Sequence, residues 1–435
     1  MLNAEFGNQT IVSRRPGKAC NELLDRPFTQ FMQEILEKKT ARIEVIDVLR
    51  GFTLLGIAFV HFTEQYYAGM PPEKHADFTN HGLADQIVAV IIGVLISGKF
   101  FMIFSFLFGL SFFLQLNKSD GSSGFTLRFT WRLLVLFLIG FVHHLHYRGD
   151  ILTIYAVLGL GLLICHKVPD KILLVLALLL VFNLPSIVTR TIGALDPSST
   201  GPSFFNPDQK QLEFYYDTVK SGSYLDILKA NFYEFKGKFV FQIESGRLYI
   251  TLGLFLLGLY AGRKNVFEDV AFFKRLIRYA LWTLLGCVLF TVALFGGTKL
   301  AGVELTQQVQ FLVSASVFDI FNAALASIYV GLIISLFQRD RWKKRLMTFY
   351  AVGRMGLTTY LMQALIGIFI FFSIGLDLLG EIGTTFCLVI GIVVFILQII
   401  FCNYWLKRFQ YGPVEWLWRS MTYLKIQPMK NRREF

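Results

Sequence analysis

The stretch DVLRGFTLLGIAFVHF, residues 47–62, decides what kind of protein this is. Between Arg50 and His61 run ten residues without a charge. An α-helix rises about 1.5 Å and turns about 100° per residue, so eleven steps carry His61 about 16 Å along the axis and back to within roughly 20° of Arg50. Both polar groups therefore look along one face of an otherwise apolar helix. Such a helix belongs in a membrane with that face turned inward, because ionisable groups against lipid are costly.

The rest of the chain reads the same way. Of its 435 residues 54% are hydrophobic and only 17% charged, which lies outside the range of soluble globular domains. The 45 Phe, 17 Tyr and 6 Trp suit lipid-facing and interfacial positions. A net charge of +12 raises the question of nucleic acid, but no basic stripe interleaves with a soluble fold, so none is expected as a partner. Retention of basic loops on the cytoplasmic side explains the excess. Cys20, Cys165, Cys287, Cys387 and Cys402 have neither paired spacing nor partner histidines, so they read as small core residues and no metal is expected. No short apolar run with a small-residue cleavage site precedes the first span, so a cleaved signal peptide is not expected.

Stretches long and apolar enough to span hydrocarbon occur near 49–65, 99–116, 129–146, 150–166, 171–189, 245–262, 276–296, 315–337, 349–373 and 383–406. The loops on one side carry most of the 42 Lys and Arg, whereas the short loops on the other hold only Lys74, Arg148 and Lys299. The fold class is thus an all-α polytopic membrane helix bundle of about ten transmembrane helices, with both termini cytoplasmic. Residues 1–46 form a cytoplasmic segment, 47–406 the bundle with an extracytoplasmic insertion at 190–244, and 407–435 a cytoplasmic interfacial tail. In the first segment Leu24, Phe28, Phe31 and Ile35 repeat at helical spacing, an amphipathic pattern suited to a membrane surface or to packing on the protein's own loops. The apolar run 84–116 would extend roughly 50 Å as one helix, too long for a bilayer core of about 30 Å. A break is expected at Gly98 and Lys99, with Lys99 snorkelling to the outer interface.

Ionisable groups collect toward the outer face. His61 is followed by Glu64; His143, His144 and His146 end the third span; Arg148 and Asp150 form a tight connection; Arg247 begins the sixth span. A carboxylate bound to one imidazole nitrogen fixes the tautomer that lets the other act as a base, so His61 with Asp150 or Glu64 is the candidate catalytic set. His143, His144, His146, Arg148, Arg247 and Lys99 are candidate substrate-binding groups. Arg50, Arg132 and Arg354 lie at the inner boundary, where arginines anchor topology or grip phosphate bidentately. Glu415 and Arg419, four apart beside two tryptophans, suit an interfacial helix. Without a Walker loop, dinucleotide fingerprint or nucleophile elbow, ATP-driven pumping and serine hydrolysis are poorly supported.

Six blocks in order, IDVLRGFTLLGI, KFFMIFSFLFGLSF, RGDILTIYAVLGL, LGLYAGR, VGRMGLTTYLMQ and YGPVEWLWR, resemble the YeiB-like family of bacterial multispanning membrane proteins. That family is sometimes described as involved in transport. It is distantly similar to transmembrane acyltransferases, including OafA-like sugar O-acetyltransferases and heparan-α-glucosaminide N-acetyltransferase. The resemblance to these lies in the spacing of Arg50 and His61 and in FFMIFSFLFG. It implies a bacterial cell-membrane acyltransferase. An acyl-CoA would enter from the cytoplasm as co-substrate, with no tightly bound cofactor. His61 would act as base toward an extracytoplasmic glycan or lipid-linked acceptor, and Arg50 would lie nearer the donor. Membrane lipids are the surrounding partners. A transporter or exporter of a small solute is the alternative, since the same polar cluster suits a proton relay.

Overall fold

The computed structural model describes residues 28–118, 123–195, 202 and 207–431. The chain divides into Met1–Glu44 and Val45–Phe435, and the second unit contains the bundle. Phe28, Phe31 and Ile35 lie in a helix, but the surroundings of their side chains, like Leu24 itself, lie outside the described residues.

Among the described residues all regular structure is helical, apart from one isolated bridge between Phe409 and Lys430. Helix α1 is Phe28–Thr63, α2 Leu83–Ile91, α3 Phe100–Lys118, α4 Ser123–His146, α5 Leu152–Cys165, α6 Asp170–Val181 and α7 Leu184–Leu195. Next come α8 Gln209–Ser221, α9 Tyr224–Glu244, α10 Arg247–Arg263, α11 Val270–Leu300 and α12 Gln307–Phe337. Helices α13 Asp340–Leu346, α14 Tyr350–Arg354, α15 Gly356–Phe371, α16 Thr384–Leu406 and α17 Pro413–Tyr423 follow among the described residues.

Among the described residues six helices are long and apolar enough to cross a bilayer. Three bent pairs, α6 with α7 (42°), α9 with α10 (70°) and α13–α14 with α15 (79°), raise the count to as many as nine. The chain is therefore a multi-pass membrane protein. Within the segment 190–244 lies α9, which is followed directly by the bundle helix α10.

The bundle has two distinct ends. At the cap end the α15–α16 connection meets α8: the Ser373 amide donates to the Val219 carbonyl and Lys220 Nζ to Glu381 Oε1 at 2.7 Å. At the tail end α17 lies across α4, with Trp418 Nε1 donating to the Arg132 carbonyl at 3.0 Å and Trp131 Nε1 to that of Met421 at 2.9 Å. The hydrogen bond from Lys220 holds the exposed Glu381 carboxyl below its usual range. A lowered carboxyl contributes stability above its unfolded value, near 4.3, and loses it as pH falls through the folded one. The melting-temperature difference between wild type and Glu381→Gln is therefore expected to be small at neutral pH and to vanish in acid.

The expected break occurs where Gly98 takes φ +85°, a region L side chains avoid. Lys99, however, does not snorkel. It is fully buried, and its Nζ donates to the carbonyls of Gly93 at 3.0 Å and Ser97 at 2.8 Å while lying over Phe318 and Phe321. The interrupted helix leaves carbonyls unsatisfied, and the ammonium is drawn inward to cap them.

Helices α3 and α10 approach so closely that a Cβ on Gly109 would overlap the Phe255 carbonyl oxygen, and one on Gly258 that of Phe106. Close backbone approach through small residues is a general way for membrane helices to gain packing energy. Gly109→Ala is expected to destabilise the bundle by about 1–3 kcal/mol, read as a lower melting temperature in detergent.

Candidate functional site

A cavity of about 1060 Å³ runs through the unit and is lined by both Arg50 and His61.

At the tail end the cavity is basic. Arg50 Nη1 donates to Asp47 Oδ1 at 2.5 Å and Nη2 to Ser111 Oγ at 2.6 Å, which fixes its guanidinium on the α1–α3 side. Arg132 stacks 3.8 Å from the Trp418 ring centroid. Arg354 Nη2 donates to the Gln410 carbonyl at 2.9 Å. All three line the cavity, and neither Arg132 nor Arg354 has a carboxylate oxygen within 4.0 Å among the described residues. Glu415 is used otherwise than sequence suggested: it accepts from the amides of Leu357 at 2.6 Å and Thr358 at 2.9 Å and from Thr358 Oγ1 at 2.5 Å. It thus satisfies the free N–H groups opening α15.

His61 lies farther along, edge-on to Tyr66 and Tyr147 with centroids 5.4 Å away in each case, and 6.2 Å from Tyr360. Its ring makes no hydrogen bond among the described residues. One turn on, Glu64 also lines the cavity, as does Arg247, the first residue of α10. The Arg247 guanidinium lies 4.5 Å from the Phe101 ring centroid.

Asp150 does not reach His61. Its Oδ1 accepts from His143 Nδ1 at 2.9 Å and from the Leu152 amide at 3.0 Å. Its Oδ2 accepts from the Thr153 amide at 3.0 Å, Thr153 Oγ1 at 2.7 Å and Lys238 Nζ at 3.4 Å. A carboxylate two residues before α5 meets that helix's first amides at once, and His143 is the imidazole the tight turn brings alongside. His143 Nε2 is left buried without a partner.

The three-histidine cluster separates. His144 Nε2 donates to the Asn231 carbonyl at 2.8 Å, and Lys238 Nζ lies 3.2 Å from its Nδ1. His146 bonds to the Val142 carbonyl and, at 2.7 Å, to the Tyr224 hydroxyl. Neither of these nor His143 lines the cavity, and Lys99 does not either, so these four expected binding groups stand back from it. Arg148 does line it, stacked 3.5 Å from the Tyr215 centroid with Nε donating to the Tyr67 carbonyl. No group of three metal-ligating side chains occurs among the described residues.

Sequence reading missed Lys238, Arg190, Asn322 and Asp319. Arg190 Nη1 lies 3.3 Å from Asp319 Oδ2, to which Asn183 Nδ2 donates at 2.8 Å. Asp319 carried a readable signal, a lone carboxylate within the apolar run SASVFDIFNAALA. Lys238 carried none, because it acts across helices.

A family described as "Protein of unknown function (DUF418)" matches residues 261–425. The chain is 31% identical over 410 residues to "Uncharacterized protein YxaH" of Bacillus subtilis (strain 168), covering 90% of this chain and 96% of that one. It is 26% identical over 412 residues to "Uncharacterized 39.9 kDa protein in amylase 3'region" of Bacillus acidopullulyticus, covering 90% and 97%. To "Uncharacterized protein YeiB" of Escherichia coli (strain K12) it is 25% identical over 392 residues, covering 87% and 95%. No solved structure matches it. Similarity along nearly its whole length places the chain in the YeiB-like, DUF418-containing family.

Proposed function

We propose that this protein is a bacterial plasma-membrane acyltransferase that moves a small acyl group from cytoplasmic acyl-CoA to an extracytoplasmic glycan or lipid-linked acceptor. The observation that carries the reading is a single cavity bordered by three arginines at one end and by His61, Glu64 and Arg247 farther in. In this account the short helix α5 joins the nine other spans to make ten crossings, with both termini and the tail end cytoplasmic and the cap end outside.

Arg132 and Arg354, without an ion pair among the described residues, meet the phosphates of the donor, and Arg50, tethered to Asp47, orients them. The acyl thioester then extends toward His61. The imidazole takes the proton of the acceptor hydroxyl as its oxygen bonds to the acyl carbon; the carbon–sulfur bond breaks, and the proton goes on to the leaving thiolate as CoA–SH. Glu64 and Arg247 orient acceptor and imidazole. Asp150 acts at one remove: by holding His143 and Lys238 it fixes the wall on which Tyr147 and Tyr360 pack against His61. The competing reading, passage of a small solute, draws on the same continuous cavity.

The test is the purified protein in liposomes with radiolabelled acetyl-CoA and a cell-envelope glycolipid fraction. Acyl transfer predicts acceptor-dependent CoA release. Solute uptake without any CoA release would establish transport instead. Arg132→Gln is expected to raise KM for acetyl-CoA about tenfold, the loss of one charge-assisted phosphate contact, with kcat little changed.

A further inference from the structure

Helix α12 is asymmetric along its length. None of its described residues from 307 to 321 is buried, whereas from Asn322 onward it packs into the core. Its neighbour α11 buries only Phe273 and Ala280, both in its tail-end half. The cap-end half of this helix pair therefore stands away from the core, and the cavity extends along it, lined by Phe311, Ala315 and Phe318. Phe318 is 47% exposed although it lines the cavity, so packing does not close this side. In a membrane an apolar, laterally open groove meets acyl chains.

The inner end of that groove is charged. Arg190 is 8% exposed, bound to Asp319 and to the Ser245 carbonyl at 3.0 Å, with its Nε buried and unpartnered. Arg247 Nε is likewise buried without a partner, and among the described residues no carboxylate oxygen comes within 4.0 Å of its guanidinium. Asn322, 3% exposed, lines the same space with its side-chain oxygen unpartnered. Asp319 pairs directly with Arg190, whereas Arg247 has no direct ion pair among the described residues and feels the Glu64 carboxylate only at longer range. An unpaired guanidinium in such surroundings is costly unless an anion joins it.

We propose that Arg247 and Arg190 hold the phosphodiester head group of an anionic membrane lipid, whose chains lie along Phe311, Ala315 and Phe318. The planar guanidinium forks suit a phosphodiester's oxygens, and no direct ion pair occupies that of Arg247 among the described residues. Asn322 contributes its amide to the polar part of the head group. In the reaction proposed above, on which only this last step rests, the lipid or the glycan it carries is the acceptor. Binding itself does not require that reaction.

The experiment uses the full chain in phosphatidylcholine nanodiscs containing a minor fraction of phosphatidylglycerol with a diazirine on its acyl chain. After irradiation, labelled peptides are mapped by mass spectrometry. Labelling is expected within residues 307–322, and a diazirine phosphatidylcholine should not reproduce it. Arg247→Gln is expected to cut the labelling about tenfold. Ala315→Phe, which fills the groove and leaves the charges alone, should cut it equally, so a fold defect in the first variant does not decide the matter. The proposal is overturned if both lipids label alike, or if Ala315→Phe labels like wild type. It is equally overturned if sn-glycerol 3-phosphate alone abolishes the labelling, because the site would then take a free anion. Since no CoA is present, failure of acyl transfer and failure of lipid binding are read separately.

Discussion

Asp150→Ala is expected to destabilise the folded protein by about 3–5 kcal/mol, the range for removing one partner of a buried charged pair. The carboxylate is fully buried and accepts from His143, Leu152, Thr153 and Lys238. Lys238 is itself almost wholly buried, with His144 Nδ1 and Thr153 Oγ1 as its remaining hydrogen-bond partners among the described residues and the Phe235 and Phe239 rings beside it. Without Asp150 its charge lies uncompensated, and the first amides of α5 lose their acceptor. Adding Lys238→Met should restore part of the loss, because the stranded charge disappears with it; thermal denaturation of the two single variants and the double variant gives the coupling. Strictly additive effects would mean that Asp150 and Lys238 do not act as a pair.

His61→Gln is expected to behave in the opposite way. The His61 ring makes no hydrogen bond among the described residues, and its ring–ring contacts are with tyrosines, so the melting temperature should change little. Acetyl-CoA-dependent transfer should fall roughly 100-fold or more, the usual range for loss of a general base. Its measure is the initial rate of CoA release in proteoliposomes. Equal losses of stability and activity would assign His61 a packing role.

Much of the bundle was legible because lipid imposes a simple rule: a span needs an apolar run of fixed length with its backbone satisfied internally. The break at Gly98 followed from arithmetic on the run 84–116. The partnerships across helices were not legible. Asp150 had three histidines and His61 within sequence reach, and only the turn geometry assigns it to His143. Lys99 reads as an interfacial lysine until the interrupted helix, with its carbonyls turned toward the ammonium, is seen. Arg190 and Asp319 lie far apart in the chain, and no local periodicity connects them. Arg50 and His61 share a cavity for the reason visible in the first stretch, their common helix face, yet that Arg132 and Arg354 border it too depends on how α4, α14 and α17 pack.

The most direct test of the central claim, that an acyl group passes along this cavity from tail end to cap end, is a sided transfer measurement. Radiolabelled acetyl-CoA is supplied only to the face of proteoliposomes bearing the tail end, and the acceptor only to the other. The account predicts label on the acceptor across the bilayer, an equal quantity of CoA released on the donor side, and neither with His61→Gln. Labelled acceptor appearing only on the donor side, or undiminished transfer by the His61 variant, would contradict it.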